Sequence, residues 1–567
     1  MRPERLLVVL CWGVAAAIFL LPISNPDLFW HLSAAQRILD LGALPRHDWL
    51  SHTRLGAPWV DFEWGSQLLF WAAHRCGGAW GLWALKGVLV ALIAAGVHAT
   101  LKLYRLPAPI RAAGLSLWAA AMLARSDLRP DLFSVLGFTF LFVALEARRL
   151  SRESRLLICL HPAASAIIFG LWANLHAGFA YGLLLLAAYA AGESAQFLWT
   201  PRDVNAGRSA RPRRLWSSCF GAIAGTFMVP FGLDGYRVLW THWRDMEMLR
   251  AYISEWGPIR WDNPWHWPTW TLLAAGGLAA SSRIFRFRTV APAPLAVFII
   301  TAYAALEHAR LGSFFAACGA PLAAHWGWEA VSSRERRAGR RVAAVCAVIV
   351  LTSALYAVGW GMRFGLFRKS VDFRFVPVRA ARFLYEQKRL LGGRALYHRW
   401  GWGGYLGWAL YPPYRVFEDG RYIFHDLLGE SAAATSTPQA WREFLDRYGI
   451  ELAVMENIPK RLPTTRLYPD GSTKTFLRPY YAVYMPKEQW ALVYWDDQAL
   501  VFLKRPASMK ASLWMLKHEY RYARPFDEEA LADAVRRREI PKGVLEEELE
   551  RHAREQRALL HETARRF

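Results

Sequence analysis

Residues 25–40 read NPDLFWHLSAAQRILD, placing a carboxylate and an imidazole four apart. On a helix Asp27 and His31 share a face. Asp27 then suits a general base or a metal ligand, and His31 an orienting group or second ligand. A plainer role for Asp27 is to favour the helix dipole, with Asn25 as N-cap and Pro26 at the first helical position. Next comes WVDFEW, residues 59–64. In extended backbone Asp61 and Glu63 would point the same way, a carboxylate pair able to hold Mg²⁺ or Mn²⁺ near a phosphate. Acidic residues ahead of a membrane segment explain the pair equally well. The connection RSDLRPD, residues 125–131, carries Arg125 and Arg129, whose guanidiniums could clamp a phosphate bidentately or pair with their own aspartates. In WANLHAG, residues 172–178, Asn174 and His176 occupy a tight corner beside Gly178. His176 is a ligand for substrate there, or a satisfied corner residue. Arg310, in EHAR, adds a further cation.

The surrounding elements are hydrophobic. The chain has 567 residues, 54% hydrophobic and 20% charged. Up to residue 362 it consists of apolar stretches long enough to cross roughly 30 Å of hydrocarbon, which excludes a soluble enzyme. About eleven spans are expected, near 5–24, 82–104, 110–125, 131–147, 156–175, 178–198, 215–232, 268–282, 289–306, 309–327 and 342–362. The stretch 64–76 is too short to span and reads as re-entrant or interfacial. The first apolar run lacks a clean cleavage site and reads as a retained span rather than a signal peptide.

Arginines cluster at 148–155, 202–214, 283–288 and 334–341. With the N-terminus in the cytoplasm all four clusters fall inside, as the positive-inside rule requires, and the C-terminal part falls outside. The net charge of +23 thus reflects topology, not a nucleic-acid surface. The opposite face collects the mixed acids, histidines and arginines described above, together with Asp127, Asp131, Glu255, Glu307 and His308. Ionisable groups converging at span ends suggest a site. The loop 232–267 interleaves tryptophans with cations, which suits sugar stacking, lipid headgroups or an interfacial helix. Six cysteines form no CxxC pattern, and no P-loop, GxGxxG, HExxH or GxSxG occurs.

Beyond residue 370 the composition becomes that of a soluble protein. Short β-like runs at 395–398, 415–418, 451–455, 491–494 and 500–504 alternate with helical patterns, giving a small α/β domain over 370–505. Gly401, Gly403 and Gly404 suit the start of a helix or a loop approaching a ligand, and Asp419-Gly420-Arg421 a turn. Residues 506–567 form a charged helical tail, divided by Pro541.

These motifs resemble a group of bacterial inner-membrane proteins related to the GT-C superfamily of polyprenyl-phosphate-dependent glycosyltransferases. The resemblance is carried by PDLFWH at 26–31, LGALPRHD at 41–48, PWVDFEW at 58–64, RPDLF at 129–133, WANLHAGF at 172–179, ARLGSFF at 309–315, GWGGYLGW at 401–408 and RVFEDGR at 415–421. It implies a polytopic α-helical membrane domain (1–362) with an extracytoplasmic α/β domain (370–505) and a helical tail (506–567). It further implies an inverting glycosyltransferase that uses a polyprenyl-phosphate sugar outside a bacterial inner membrane, the acceptor being a glycan, lipid or protein. Asp27 corresponds to the catalytic acidic residue of the first outer loop, with Asp61 or Glu63 as the second carboxylate, towards metal or phosphate. Asp27 is followed by LFWH rather than by an adjacent acid, which leaves metal dependence open. Arg125, Arg129, His176 and Arg310 are the candidate phosphate and substrate contacts. A non-catalytic lipid-linked-glycan transporter or envelope assembly factor is the alternative.

Overall fold

The computed structural model describes residues 11–16, 18, 21–199, 210–287, 290–332, 338–364, 370–468, 471–505, 509–541 and 543–563. Parts of the expected first span and of the arginine clusters at 202–214 and 334–341 lie outside these residues. The chain divides into two compact units, Met1–Asn25 with Val60–Asp372 and Pro26–Trp59 with Phe373–Phe567. The segment carrying Asp27 is therefore grouped with the C-terminal part.

The first unit is a helical bundle. Two of its helices, Trp64–Leu103 and Arg341–Phe364, are long and apolar enough to cross a membrane. The other expected spans within the described residues coincide with helices that are shorter or more mixed in composition. Large apolar side chains stand exposed around the bundle, among them Leu198, Phe220, Leu278 and Met362, a surface that water alone does not favour. The stretch 64–76 forms a helical piece of its own, parted from the expected span at 82–104 by Gly77 and Gly78, whose backbone angles are non-helical (φ −152° and 55°). The chain turns back sharply there, since a Cβ on Gly81 would stand 2.0 Å from the Ala73 carbonyl oxygen. The expected span at 156–175 is broken as well. A 3₁₀ turn, Arg155–Leu160, precedes the helix Pro162–Ala173, because Pro162 fits a first turn and not a helix interior.

At one end of the bundle Glu146 is fully buried. It accepts bonds from Arg149 Nε (2.7 Å) and Nη2 (2.6 Å), Tyr189 Oη (2.6 Å) and Tyr104 Oη (2.7 Å). Every lone-pair direction of that acid is thus engaged, which makes its burial tolerable.

In the second unit a four-stranded sheet runs in the order β1 (Leu396–His398), β2 (Leu452–Glu456), β6 (Ala499–Lys504), β5 (Trp490–Trp495). β1 and β2 are parallel, joined through the helices Gly403–Leu410, His425–Ala434 and Pro438–Arg447; the other pairs are antiparallel. Strands were expected at all four places. The run at 415–418 is not a strand: Val416 makes only a bridge to Ser51. A hairpin, β3 (Arg461–Leu467) with β4 (Thr473–Pro479), was not expected, since its exposed strands lack an apolar face.

The tail folds back onto this unit. Its last helix, Val544–Thr563, follows Pro541 and Gly543. Buried Glu548 accepts from the amides of Arg521 (3.0 Å), Tyr522 (2.9 Å) and Ala523 (2.8 Å), while His552 stacks on Trp495 at 3.7 Å.

Candidate functional site

Seven ionisable side chains converge in the first unit, drawn from five places in the chain. Arg125 closes the 3₁₀ turn Leu123–Arg125, and Asp131 opens the helix Asp131–Arg149, so one short connection supplies Arg125, Arg129 and Asp131. Glu255 comes from the turn Ser254–Trp256, and Arg310 from the turn Ala309–Leu311. Arg125 donates to Glu255 (Nη1 to Oε2, 2.6 Å) and to Asp131 (Nη2 to Oδ2, 2.8 Å). Arg129 Nη1 reaches both Glu255 oxygens at 2.8 Å. Arg310 stands 4.0 Å from Glu255 Oε1, with its guanidinium 4.0 Å above the Trp256 ring. Burial alone would raise the Glu255 pKa, but Arg129, Arg125 and Arg310 hold it far below the usual carboxylate range.

His176 sits at the corner between the helices Pro162–Ala173 and Phe179–Trp199. Its Nδ1 accepts the Gly178 amide (2.9 Å) and lies 2.8 Å from Ser134 Oγ, which itself accepts from Trp172 Nε1 (2.8 Å). With Nδ1 committed as an acceptor, the neutral ring carries its proton on Nε2. That nitrogen faces Glu63 Oε1 at 3.7 Å. Desolvation lowers the His176 pKa to about 4; Asp131 opposes the shift, and Arg310 and Arg125 add to it. Gly178 is required here, because a Cβ would stand 2.4 Å from Ser134 Oγ and 2.8 Å from His176 Nδ1.

Arg310 immediately precedes Leu311, which lines a narrow apolar groove of about 20 Å³. Phe138, Tyr181, Leu185, Ile300 and Phe314 form other parts of its wall. A cationic cluster thus adjoins an apolar groove between helices.

Asp61 and Glu63 each have a partner of their own. Asp61 is buried and accepts from Gln67 Nε2 (2.6 Å), whereas Glu63 caps the helix Trp64–Leu103 and faces His176. Among the described residues no three His, Cys, Asp or Glu side chains gather closely enough to hold a metal ion. Asp27, Asp61 and Glu63, the residues named for Mg²⁺ or Mn²⁺, thus belong to no such group among the described residues.

Asp27 and His31 belong to the second unit. Asp27, not Asn25, is the N-cap of the helix Leu28–Leu41, and its side chain makes no cap bond. Of the apolar stripe Leu28, Leu32, Ala35 and Leu39, the first three are buried in protein and Leu39 is exposed, with Phe29 edge-on to Tyr405 at 4.9 Å. His31 is buried with its ring 3.7 Å from that of Trp30. Asp27 lies against Gly420, where a Cβ would meet its Oδ1 at 2.4 Å. The turn 419–421 is the buried hub of this region. Arg421 binds Asp419 (Nη2 to Oδ2, 2.8 Å) and Asp48 (2.7 Å), with the Trp59 ring 5.1 Å from its guanidinium. Neither Glu255 as the centre of the arginine cluster nor Asp48 as partner of Arg421 was foreseen from sequence.

No family model matches the sequence, and no curated protein matches it. Among solved structures the chain is similar to ArnT from Cupriavidus metallidurans, bound to undecaprenyl phosphate and in the apo state. Both have a TM-score of 0.46, with 15% and 14% identity over 88% of this chain and 97% of that one. It is also similar to the arabinofuranosyltransferase AftD from Mycobacteria, with a TM-score of 0.44 and 14% identity over 89% of this chain and 40% of AftD.

Proposed function

We propose that this chain is a membrane-embedded glycosyltransferase that takes a sugar from a polyprenyl-phosphate donor on the extracytoplasmic face of a bacterial inner membrane. The observation that carries this reading is the cluster Arg125, Arg129 and Arg310 at the edge of the apolar groove. A lipid with one anionic phosphate needs that combination, a slot for its chain and guanidiniums for its head. In the reaction, Asp27 removes the proton from an acceptor hydroxyl. The acceptor oxygen forms a bond to the anomeric carbon, and the bond from that carbon to the phosphate oxygen breaks, its electron pair leaving with the phosphate. One displacement inverts the anomeric centre. The arginines stabilise the charge that grows on the leaving phosphate. The arginine distribution supports a cytoplasmic N-terminus and an extracytoplasmic C-terminal unit.

The test is a thermal-shift titration of the purified full chain with undecaprenyl phosphate, followed by a transfer assay with polyprenyl-phosphate sugars. The lipid should raise the midpoint of wild type and Asp27→Asn but not of Arg129→Ala, and Asp27→Asn should lose turnover. No shift with the lipid refutes the donor. Normal turnover in Asp27→Asn refutes the base and favours a transporter or assembly factor.

A further inference from the structure

Glu255 occupies the centre of the cluster that the proposed reading assigns to a lipid phosphate. Its two carboxylate oxygens take three bonds of 2.6 to 2.8 Å from Arg125 and Arg129, with Arg310 at 4.0 Å. Asp131 binds the other terminal nitrogen of Arg125. A phosphate offers guanidiniums the same planar pair of acceptor oxygens as a carboxylate. The best seat for an incoming phosphate is therefore already filled by an anion of the chain itself. Glu255 lies on a single 3₁₀ turn, bounded by Ile253 and Gly257 in extended backbone. Its neighbour Trp256 is tied in place by the Arg310 guanidinium on its ring and by His308 Nδ1, 2.7 Å from its carbonyl oxygen.

Resting on the lipid-phosphate reading, we infer that Glu255 is an internal stand-in for the donor phosphate, holding the arginines ready and leaving their centre when the lipid binds. A stand-in keeps three cations from repelling one another in the empty site. It also taxes affinity, because the ligand sees only the fraction of molecules whose seat is open. A purely structural clamp makes the opposite prediction, since losing it would disorder the arginines and weaken binding.

Affinity for undecaprenyl phosphate is measured on the full chain in nanodiscs, for wild type, Glu255→Gln, Glu255→Asp and Arg129→Ala, beside the thermal midpoint of each without lipid. Glu255→Gln should lower the lipid-free midpoint, bind the lipid roughly tenfold more tightly or better, and show a larger lipid-induced rise. Glu255→Asp keeps the charge on a shorter arm and should fall between. Tightening in Glu255→Gln supports the stand-in even where wild-type binding is too weak to measure. Weaker or unchanged lipid binding in both Glu255 variants, with wild type binding well, overturns the inference and leaves the lipid reading intact. No lipid binding by wild type or by either Glu255 variant overturns both.

Discussion

Replacing Arg421 by methionine isolates the charge at the hub of the second unit. Arg421, Asp48 and Asp419 are all nearly inaccessible, their side chains exposed by 1%, 0% and 0%. Methionine fills much of the same volume, so the cavity term is small, but two buried carboxylates lose the cation they share. Asp48 keeps Ser51 Oγ (2.6 Å) and the Ser51 amide (3.1 Å), which soften the loss. Breaking a buried pair by removing one partner costs about 3–5 kcal/mol. At roughly 2–4 °C per kcal/mol for a unit of this size, the thermal midpoint should fall by about 10 °C. Tryptophan fluorescence of the full chain, heated at one fixed rate, reads this directly. Adding Asp48→Asn and Asp419→Asn to Arg421→Met should recover part of the loss at neutral pH. No recovery on adding the two asparagines, or a fall of under about 2 °C in Arg421→Met, would refute the electrostatic account.

Two further outcomes follow from the geometry. His176 titrates near 4 in the folded chain against 6.5 in a free side chain, so the unfolded state binds more protons between those values and stability falls as pH drops through that window. The full effect is about 3 kcal/mol; His176→Gln should flatten the profile, and parallel midpoint curves from pH 4 to 7.5 for the two proteins would contradict the neutral ring. Gly420→Ala places a Cβ against the Asp27 carboxylate. If Asp27 is the base, turnover should fall by up to about a hundredfold, the effect of a displacement near 1 Å, with lipid binding retained; undiminished turnover would separate Asp27 from the chemistry.

The sequence showed Arg125, Arg129 and Asp131 as a group because seven residues contain them all. Glu255 could not be paired with them, since its partner Arg129 is 126 residues away and no periodicity spans a loop of that kind. The stripe Leu28, Leu32, Ala35 and Leu39 is apolar in sequence, but a pattern records that a face favours burial and not what buries it, nor that Leu39 stays exposed. Lipid and the helix Gly403–Leu410 ask for the same residues. The sheet strands were legible from their β-branched and aromatic runs. The hairpin β3–β4 was not, because Arg461, Pro463, Thr465 and Leu467 stand exposed and alternate with no apolar set. Residues 415–418 have strand composition, but in the fold Val416 bridges only Ser51, from the other end of the sequence.

Buried Glu146 bears on the order in which the chain is made. Arg149 lies three residues on, so the helix Asp131–Arg149 emerges from the ribosome with its acid already neutralised by its own next turn. Tyr104 has been synthesised before the acid, but Tyr189 follows it by 43 residues. A nascent chain that has not yet delivered the helix Phe179–Trp199 therefore holds a carboxylate one donor short. In a bilayer such a deficit is costly, and it marks the partly made protein until that helix arrives.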